Sequence, residues 1–302
     1  MDLQKSFRVT VRSHRCGMRL GTLLLVLFVG LPAVNAQTQA ISNEERLQFG
    51  TQPVKPFRII GSIYYVGAVR VSAFLIKTPE GDILIDTGYK ETAPVVRDSI
   101  EKLGFNLKNI KILLSSHAHQ DHVGGHALIK ELSGAKVLAS EGDAPVIATG
   151  GRPHGVNVVK IDGTIRDKQE VSLGGVKLTA HLTPGHTKGC TTWTMVAEEG
   201  GKKYNVVFMC SVNINEGYRL IGDPAYPNRA EDYRNAINRL KELPCDVFLG
   251  PHGFFFNLEE KVQRMEKGEA GNPFIDPAGY RAYVARAEKS YQDQLRLERA
   301  GQ

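Results

Sequence analysis

Ile110-Lys111-Ile112-Leu113-Leu114, followed by Ser115-Ser116-His117-Ala118-His119-Gln120-Asp121-His122-Val123-Gly124-Gly125, is the stretch of this 302-residue chain on which its fold and chemistry turn. The first five residues read as a short buried strand. Directly past it come three imidazoles and one carboxylate within six residues, too many polar groups to be spent on packing. This nitrogen and oxygen mixture suits borderline divalent metals, zinc above all. His117 and His119 stand two apart on an extended backbone, point the same way and share one ion. Asp121 and His122 lie past the bend, facing a second.

Two more histidines occur in comparable settings, His186 in Thr183-Pro184-Gly185-His186-Thr187-Lys188-Gly189 and His252 in Gly250-Pro251-His252-Gly253. Both follow strand-like runs and sit in Pro/Gly turns, where side chains are aimed rather than buried. Five histidines and one aspartate divide into two three-ligand sets with open positions, an arrangement for catalysis rather than for a closed structural metal.

Outward from the motif, residues 58–67 (RIIGSIYYVG) and 71–78 (VSAFLIKT) read as strands. Pro79-Glu80-Gly81-Asp82 turns the second into a strand over 83–86. Helices are expected over 93–103, 124–132 and 230–243, the last after Asn228, and from Pro277 onward; strands are expected over 136–139 and 247–249. A Gly-rich loop spans 149–155, and 157–209 reads mostly as strands with turns at Asp162-Gly163 and Gly174-Gly175. Strands interleaved with helices in both halves predict an α/β protein of the α+β type, an αββα sandwich of two mixed sheets with helices on both outer faces.

Residues 1–36 read as a secretory signal peptide: Lys5, Arg8, Arg12, Arg15 and Arg19, an apolar run over 20–31, then Val34-Asn35-Ala36 before the cut. The run is short for a retained anchor, since a spanning helix takes about 18 apolar residues or more. Cys16 precedes the run and leaves with the peptide. The whole chain carries a formal charge of +6; without the five basic residues and one acidic residue of the leader it carries +2, so the basic balance implies no nucleic-acid partner. The expectation is one domain over 37–302, secreted to the periplasm and free of the membrane once the leader is gone; the sequence leaves the oligomeric state open, with the monomer favoured.

HxHxDHxGG after a strand, then PGHTxG, then PHG, resembles the metallo-β-lactamase superfamily over essentially the whole mature chain. Many hydrolases of that superfamily place a metal-bridging Asp at a strand end between the last two histidines; here that end reads Phe208-Met209-Cys210-Ser211. Keeping His122 and offering Ser211 resembles the subclass B3 metallo-β-lactamases, as do Gly217-Tyr218-Arg219-Leu220, Ala225-Tyr226-Pro227 and Leu243-Pro244-Cys245-Asp246-Val247. The resemblance implies two Zn²⁺ per chain, one on His117, His119 and His186 and the other on Asp121, His122 and His252. It implies hydrolysis of the β-lactam amide by a metal-activated hydroxide that Asp121 orients, with Tyr218 donating to the oxyanion and Ser211 and Asn213 to the substrate carboxylate. Asp86, in Leu84-Ile85-Asp86-Thr87-Gly88, resembles the Asp that fixes a ligand or loop through hydrogen bonds. The alternatives are a lactone or thioester hydrolase of the same fold, a mononuclear iron persulfide dioxygenase, and a metal-binding protein without turnover.

Other residues have plainer readings. His126 on a helix face, His181 in a strand and Trp193 in the core are structural, and His154 stands in the Gly-rich loop. A hairpin centred on residue 200 pairs Cys190 with Cys210, a disulfide if their side chains share a face in an oxidising compartment; the alternative makes Cys210 a zinc ligand. Cys245 is left without a partner.

Overall fold

The computed structural model describes residues 51–152 and 158–301. The predicted signal peptide with Cys16, and His154, lie outside the described residues. Among these residues no helix is long and apolar enough to cross a membrane.

Seven strands form the first sheet in sequence order: β1 (Phe57–Ile60), β2 (Ile63–Tyr65), β3 (Phe74–Thr78), β4 (Gly81–Ile85), β5 (Ile110–Leu114), β6 (Lys136–Ser140) and β7 (Gly163–Ile165). The β1–β4 pairings are antiparallel, and β4 to β7 run parallel. The second sheet is ordered β12-β11-β10-β9-β8, from β8 (Glu170–Leu173), β9 (Val176–Leu182), β10 (Thr191–Glu199), β11 (Lys202–Phe208) and β12 (Val247–Leu249). Its pairs are antiparallel except β11 with β12.

Period-two alternation sends each strand's side chains into two cores. Phe74, Ile76, Ile83, Ile85 and Leu114 face the second sheet and meet Trp193, Met195 and Phe208. Leu75, Leu84 and Leu113 face the other way, against Val96 and Ile100 of helix α1 (Ala93–Lys102) and Ile129 of α3 (His126–Ser133). Between these helices lies the short α2 (Gln120–Val123), and α4 (Ala144–Ile147) follows β6. The outer face of the second sheet is covered by α5 (Arg229–Glu242), through Tyr233, Ile237 and Leu240, and by α7 (Pro277–Ala300), through Tyr280, Tyr283 and Val284. The remaining helix, α6 (Leu258–Glu266), follows His252. The expected αββα sandwich is the observed one.

Three local expectations are corrected. Residues 58–67 are not one strand but two, because Gly61, at φ +52°, turns the chain between β1 and β2 and gives its N–H to Glu199 Oε2 at 2.9 Å. Asp162-Gly163 is no turn: the Asp162 carboxylate accepts from Val137 N at 2.8 Å, and Gly163 opens β7. The β10–β11 hairpin turns on two residues, Gly200 and Gly201, both at positive φ as a two-residue turn requires. Glu199 therefore faces Lys202, and the register sets Cys190 one residue off Cys210 rather than opposite it. The Cys190–Cys210 disulfide forms all the same, with the Cα atoms 5.8 Å apart, and Cys245 is the free cysteine among the described residues. With Cys190 and Cys210 both replaced by Ser, stability should fall by up to about 3 kcal/mol, from the chain entropy that closing such a loop removes; urea unfolding of the two proteins measures it.

Because β9 and β11 both run antiparallel to β10, and β12 runs with β11, the chain leaves β9, β11 and β12 at one edge of the sandwich. The residues that follow β4 and β5 reach the same edge, where a sheet's carboxyl ends leave a crevice.

Candidate active site

Every nominated ligand comes from one of those exits: His117, His119, Asp121 and His122 after β5, His186 after β9, His252 after β12. Nε2 of His117 and Nε2 of His186 each lie 3.1 Å from His119 Nδ1, and the three ring centroids are 4.7–4.8 Å apart. His122 is completely buried; its Nε2 lies 3.1 Å from Asp121 Oδ2, and His252 Nε2 lies 3.7 Å from the same oxygen. His117 belongs to both groups, since its ligand atom also falls with those of Asp121 and His122.

Neighbouring acceptors fix which nitrogen faces inward. Ser116 Oγ spends its hydrogen on Asp86 Oδ2 at 2.7 Å, so it accepts from His117 Nδ1 at 3.0 Å and leaves His117 Nε2 with a lone pair. His186 Nδ1 donates to the Asn213 carbonyl at 2.7 Å, and His252 Nδ1 to the Arg70 carbonyl at 3.1 Å. Burial, joined by neighbouring imidazoles, holds His117 and His186 well below the ordinary histidine range; burial likewise brings His119 and His252 down to about 4. All four are neutral near pH 7, the form that binds metal. Burial alone would raise the Asp121 carboxyl, but His122, His252 and His119 outweigh it and keep it ionised. Burial would also lower His122, yet the Asp121 and Asp86 carboxylates raise it to about 10.

These donors fit a metal. Lone pairs of His117 and His186 aimed at His119 Nδ1 from 3.1 Å repel its own unless a cation lies between them. Tetrahedral zinc with Zn–N bonds of about 2.0–2.1 Å sets its nitrogens about 3.3 Å apart. Neither buried ring nitrogen of His122 makes a hydrogen bond of good geometry, an expensive arrangement unless Nε2 serves a cation.

Asp86 holds the frame behind the ligands. It sits at φ +61°, accepts from Ser116 N at 2.7 Å and lies 3.2 Å from His122 Nδ1. Asp86→Asn, which tolerates this backbone, should weaken metal binding by roughly 10- to 100-fold, measured by competition with a chromophoric chelator.

Sequence reasoning missed a second carboxylate. Asp143, buried at the start of α4, accepts from Ala118 N at 3.0 Å, Gly189 N at 2.8 Å and Thr187 Oγ1 at 2.7 Å, tying the loop of His117 and His119 to that of His186. Tyr233 was missed too: its hydroxyl donates to the Asn213 carbonyl that also receives His186, and its ring lies where a Cβ on Gly185 would be, at 2.7 Å. Backbone acceptors carry no sequence signature, and neither residue falls within a motif.

The other nominees divide. Tyr218 reaches the site, its hydroxyl 3.0 Å from His119 Nε2 and the Arg229 guanidinium 4.3 Å from its ring centroid. Burial keeps that phenol protonated, so it is a donor near pH 7. Ser211 is only 1% exposed, and its Oγ accepts from Asn213 N at 3.2 Å, so the hydroxyl is turned into its own loop. Asn213 is exposed, but its Oδ1 accepts from Tyr283 at 3.2 Å. Cys210, held in the disulfide, is no ligand. His126 bridges Thr87 and Ser115 at 2.8 Å, His181 meets Thr194 at 2.9 Å, and Trp193 donates to the Ser115 carbonyl at 3.0 Å, all within the framework. The loop after β11 is also held from far along the chain, where Glu298 accepts from Leu220 N at 3.0 Å and Ile221 N at 2.8 Å.

A family model described as the metallo-beta-lactamase superfamily matches residues 66–252, which carry all six of these ligand positions. The chain belongs to the metallo-beta-lactamase superfamily. It is therefore a hydrolase of that fold, and its His/Asp groups are for a divalent metal, typically zinc. The native FEZ-1 metallo-beta-lactamase of Legionella gormanii is 41% identical with a TM-score of 0.80, covering 82% of this chain and 98% of that one. BJP-1, a subclass B3 metallo-beta-lactamase of Bradyrhizobium japonicum, is 36% identical with a TM-score of 0.78, covering 84% and 98%. Among curated relatives, a hydroxyacylglutathione hydrolase of Anaeromyxobacter dehalogenans is 38% identical over 59% of this chain and 74% of its own length. Another, from Rhodopseudomonas palustris, is 26% identical over 58% of this chain, which spans 59% of that relative's length.

Proposed function

We propose that this metallo-beta-lactamase-fold hydrolase opens the amide of β-lactams, with two Zn²⁺ per chain. The observation that carries the reading is the exit of β11. Where many relatives offer a bridging carboxylate, this chain has Cys210, locked to Cys190, and a buried Ser211, while His122 is kept beside Asp121. The near-complete coverage of the Legionella and Bradyrhizobium enzymes agrees with it. A thioester substrate is the second reading, favoured by the hydroxyacylglutathione hydrolases, whose lengths the chain spans less fully.

Bound zinc supplies Lewis acidity and a nucleophile from water at neutral pH. The chain's own residues do the rest. Asp121, ionised, accepts a hydrogen bond from the attacking water and orients it. Tyr218 keeps its proton and donates to the oxygen of the carbonyl under attack. Asp86 and Ser116 hold the imidazoles in position, and the Cys190–Cys210 bond stiffens the strands that carry His186 and the 211–226 loop. The disulfide accords with export to an oxidising periplasm, which we propose as the site of action.

Nitrocefin and carbapenem hydrolysis by the purified mature protein tests the reading. Turnover should be lost in chelator and restored by zinc. Turnover indifferent to chelation removes the metal mechanism, and thioester cleavage without nitrocefin cleavage selects the second reading.

A further inference from the structure

Of the two side chains expected to receive a substrate carboxylate, Ser211 is buried with its Oγ accepting within its own loop and Asn213 has its Oδ1 taken by Tyr283, and neither brings a positive charge. A cation stands beside the segment of His119. Gly150 and Gly151, at φ +90° and +92°, press the chain against the metal-ligand loop; a Cβ on Gly151 would lie 3.0 Å from the Ala118 carbonyl oxygen. Arg152, the next residue, is stitched into that loop. It gives its N–H to the Ala118 carbonyl at 2.8 Å, receives Gln120 N at 2.8 Å, and forms a parallel bridge with His119. Residues paired in a bridge present their side chains to the same face, so Arg152 emerges on the face where His119 points into the site.

The Arg152 guanidinium is exposed and has no ion pair or side-chain hydrogen bond among the described residues. Its charge nonetheless reaches the His119 ring, the Tyr218 hydroxyl and the Asp143 carboxyl, favouring the deprotonated form at each. Arg229, the other guanidinium near Tyr218, is buried and already paired with Asp223 at 3.0 Å. A free planar fork at the mouth of a metal site matches a carboxylate in shape and charge.

We propose that Arg152 is the specificity-determining residue that receives the carboxylate of an anionic substrate. The inference rests on the reading of this site as one for small amides that carry an acid group, and it is tested separately from that reading. Steady-state kinetics compare nitrocefin with its methyl ester in wild type, Arg152→Ala and Arg152→Lys. Calorimetry on the zinc-loaded proteins compares a mercaptoacyl-proline with its methyl ester, which requires no turnover. In Arg152→Ala, KM for the acid should rise about 10- to 100-fold with kcat little changed. The ester should shift less than about threefold, below what loss of such a bond costs. Arg152→Lys should recover part of the loss, and the calorimetric preference for acid over ester should disappear with the guanidinium.

Acid and ester affected alike by Arg152→Ala, or bound alike by the wild type, overturns the proposal, as does binding of neither. If wild type leaves nitrocefin intact, the β-lactam reading fails, and the calorimetric pair alone still decides the role of Arg152.

Discussion

Replacing His117 by Ala should abolish turnover, with a loss well beyond the roughly 10- to 100-fold typical of removing a ligand's hydrogen-bond partner. His117 is the most consequential of the six because it stands in both donor groups, 3.1 Å from His119 Nδ1 and beside Asp121 and His122. Its loss removes one of three nitrogens from the first group and opens the wall of the second. Metal content measured beside activity should fall for both groups. His252→Ala should spare the His117, His119 and His186 group, since among the described residues His252 meets the cluster at His122 and Asp121. Retention of full metal content by His117→Ala would contradict this placement.

Asp143→Ala should produce the largest loss of stability, about 3–5 kcal/mol, because it orphans two buried N–H groups and one hydroxyl together. For a chain of this size that lowers the melting temperature by roughly 6–10 °C. Activity should fall with it, since the same carboxylate sets the His186 loop against the His117 loop. Burial raises the Asp143 carboxyl, against the opposing pull of Thr187, Gly189 and Ala118. Asp143→Asn, which keeps one oxygen but turns an amide NH₂ toward a donor, should fall between wild type and Ala. A melting temperature within about 2 °C of wild type for the Ala variant, less than 1 kcal/mol, would show that the clamp is dispensable.

The clustering of the candidate ligands was legible because its chemistry is local: imidazoles at fixed spacing after a strand have few other uses. The layered fold was legible for a related reason, since runs such as FLIKT and IKILL declare strands buried on both faces. What escaped was register and the residues that serve the ligands. One residue of turn length at Gly200-Gly201 decides what faces Cys210, and Gly61 divides a stretch that β propensity alone joins. Asp143 and Tyr233 act on backbone groups brought near by folding, and nothing in their sequence neighbourhood distinguishes them from core or capping residues. Burial is equally invisible along the chain: Ser211 follows β11 as the motif expects, yet it is enclosed, with its Oγ accepting from Asn213 N.

The grip of Glu298 on Leu220 and Ile221 also bears on handling the protein. The loop that presents Tyr218 is fastened by a carboxylate 78 residues further along the chain, in the last turn of α7, where Gln294 steadies it at 2.8 Å. A purification tag, a trimmed expression clone or a protease that nibbles this helix would therefore be acting on the loop that carries Tyr218, at a distance that makes the connection easy to overlook when preparations differ.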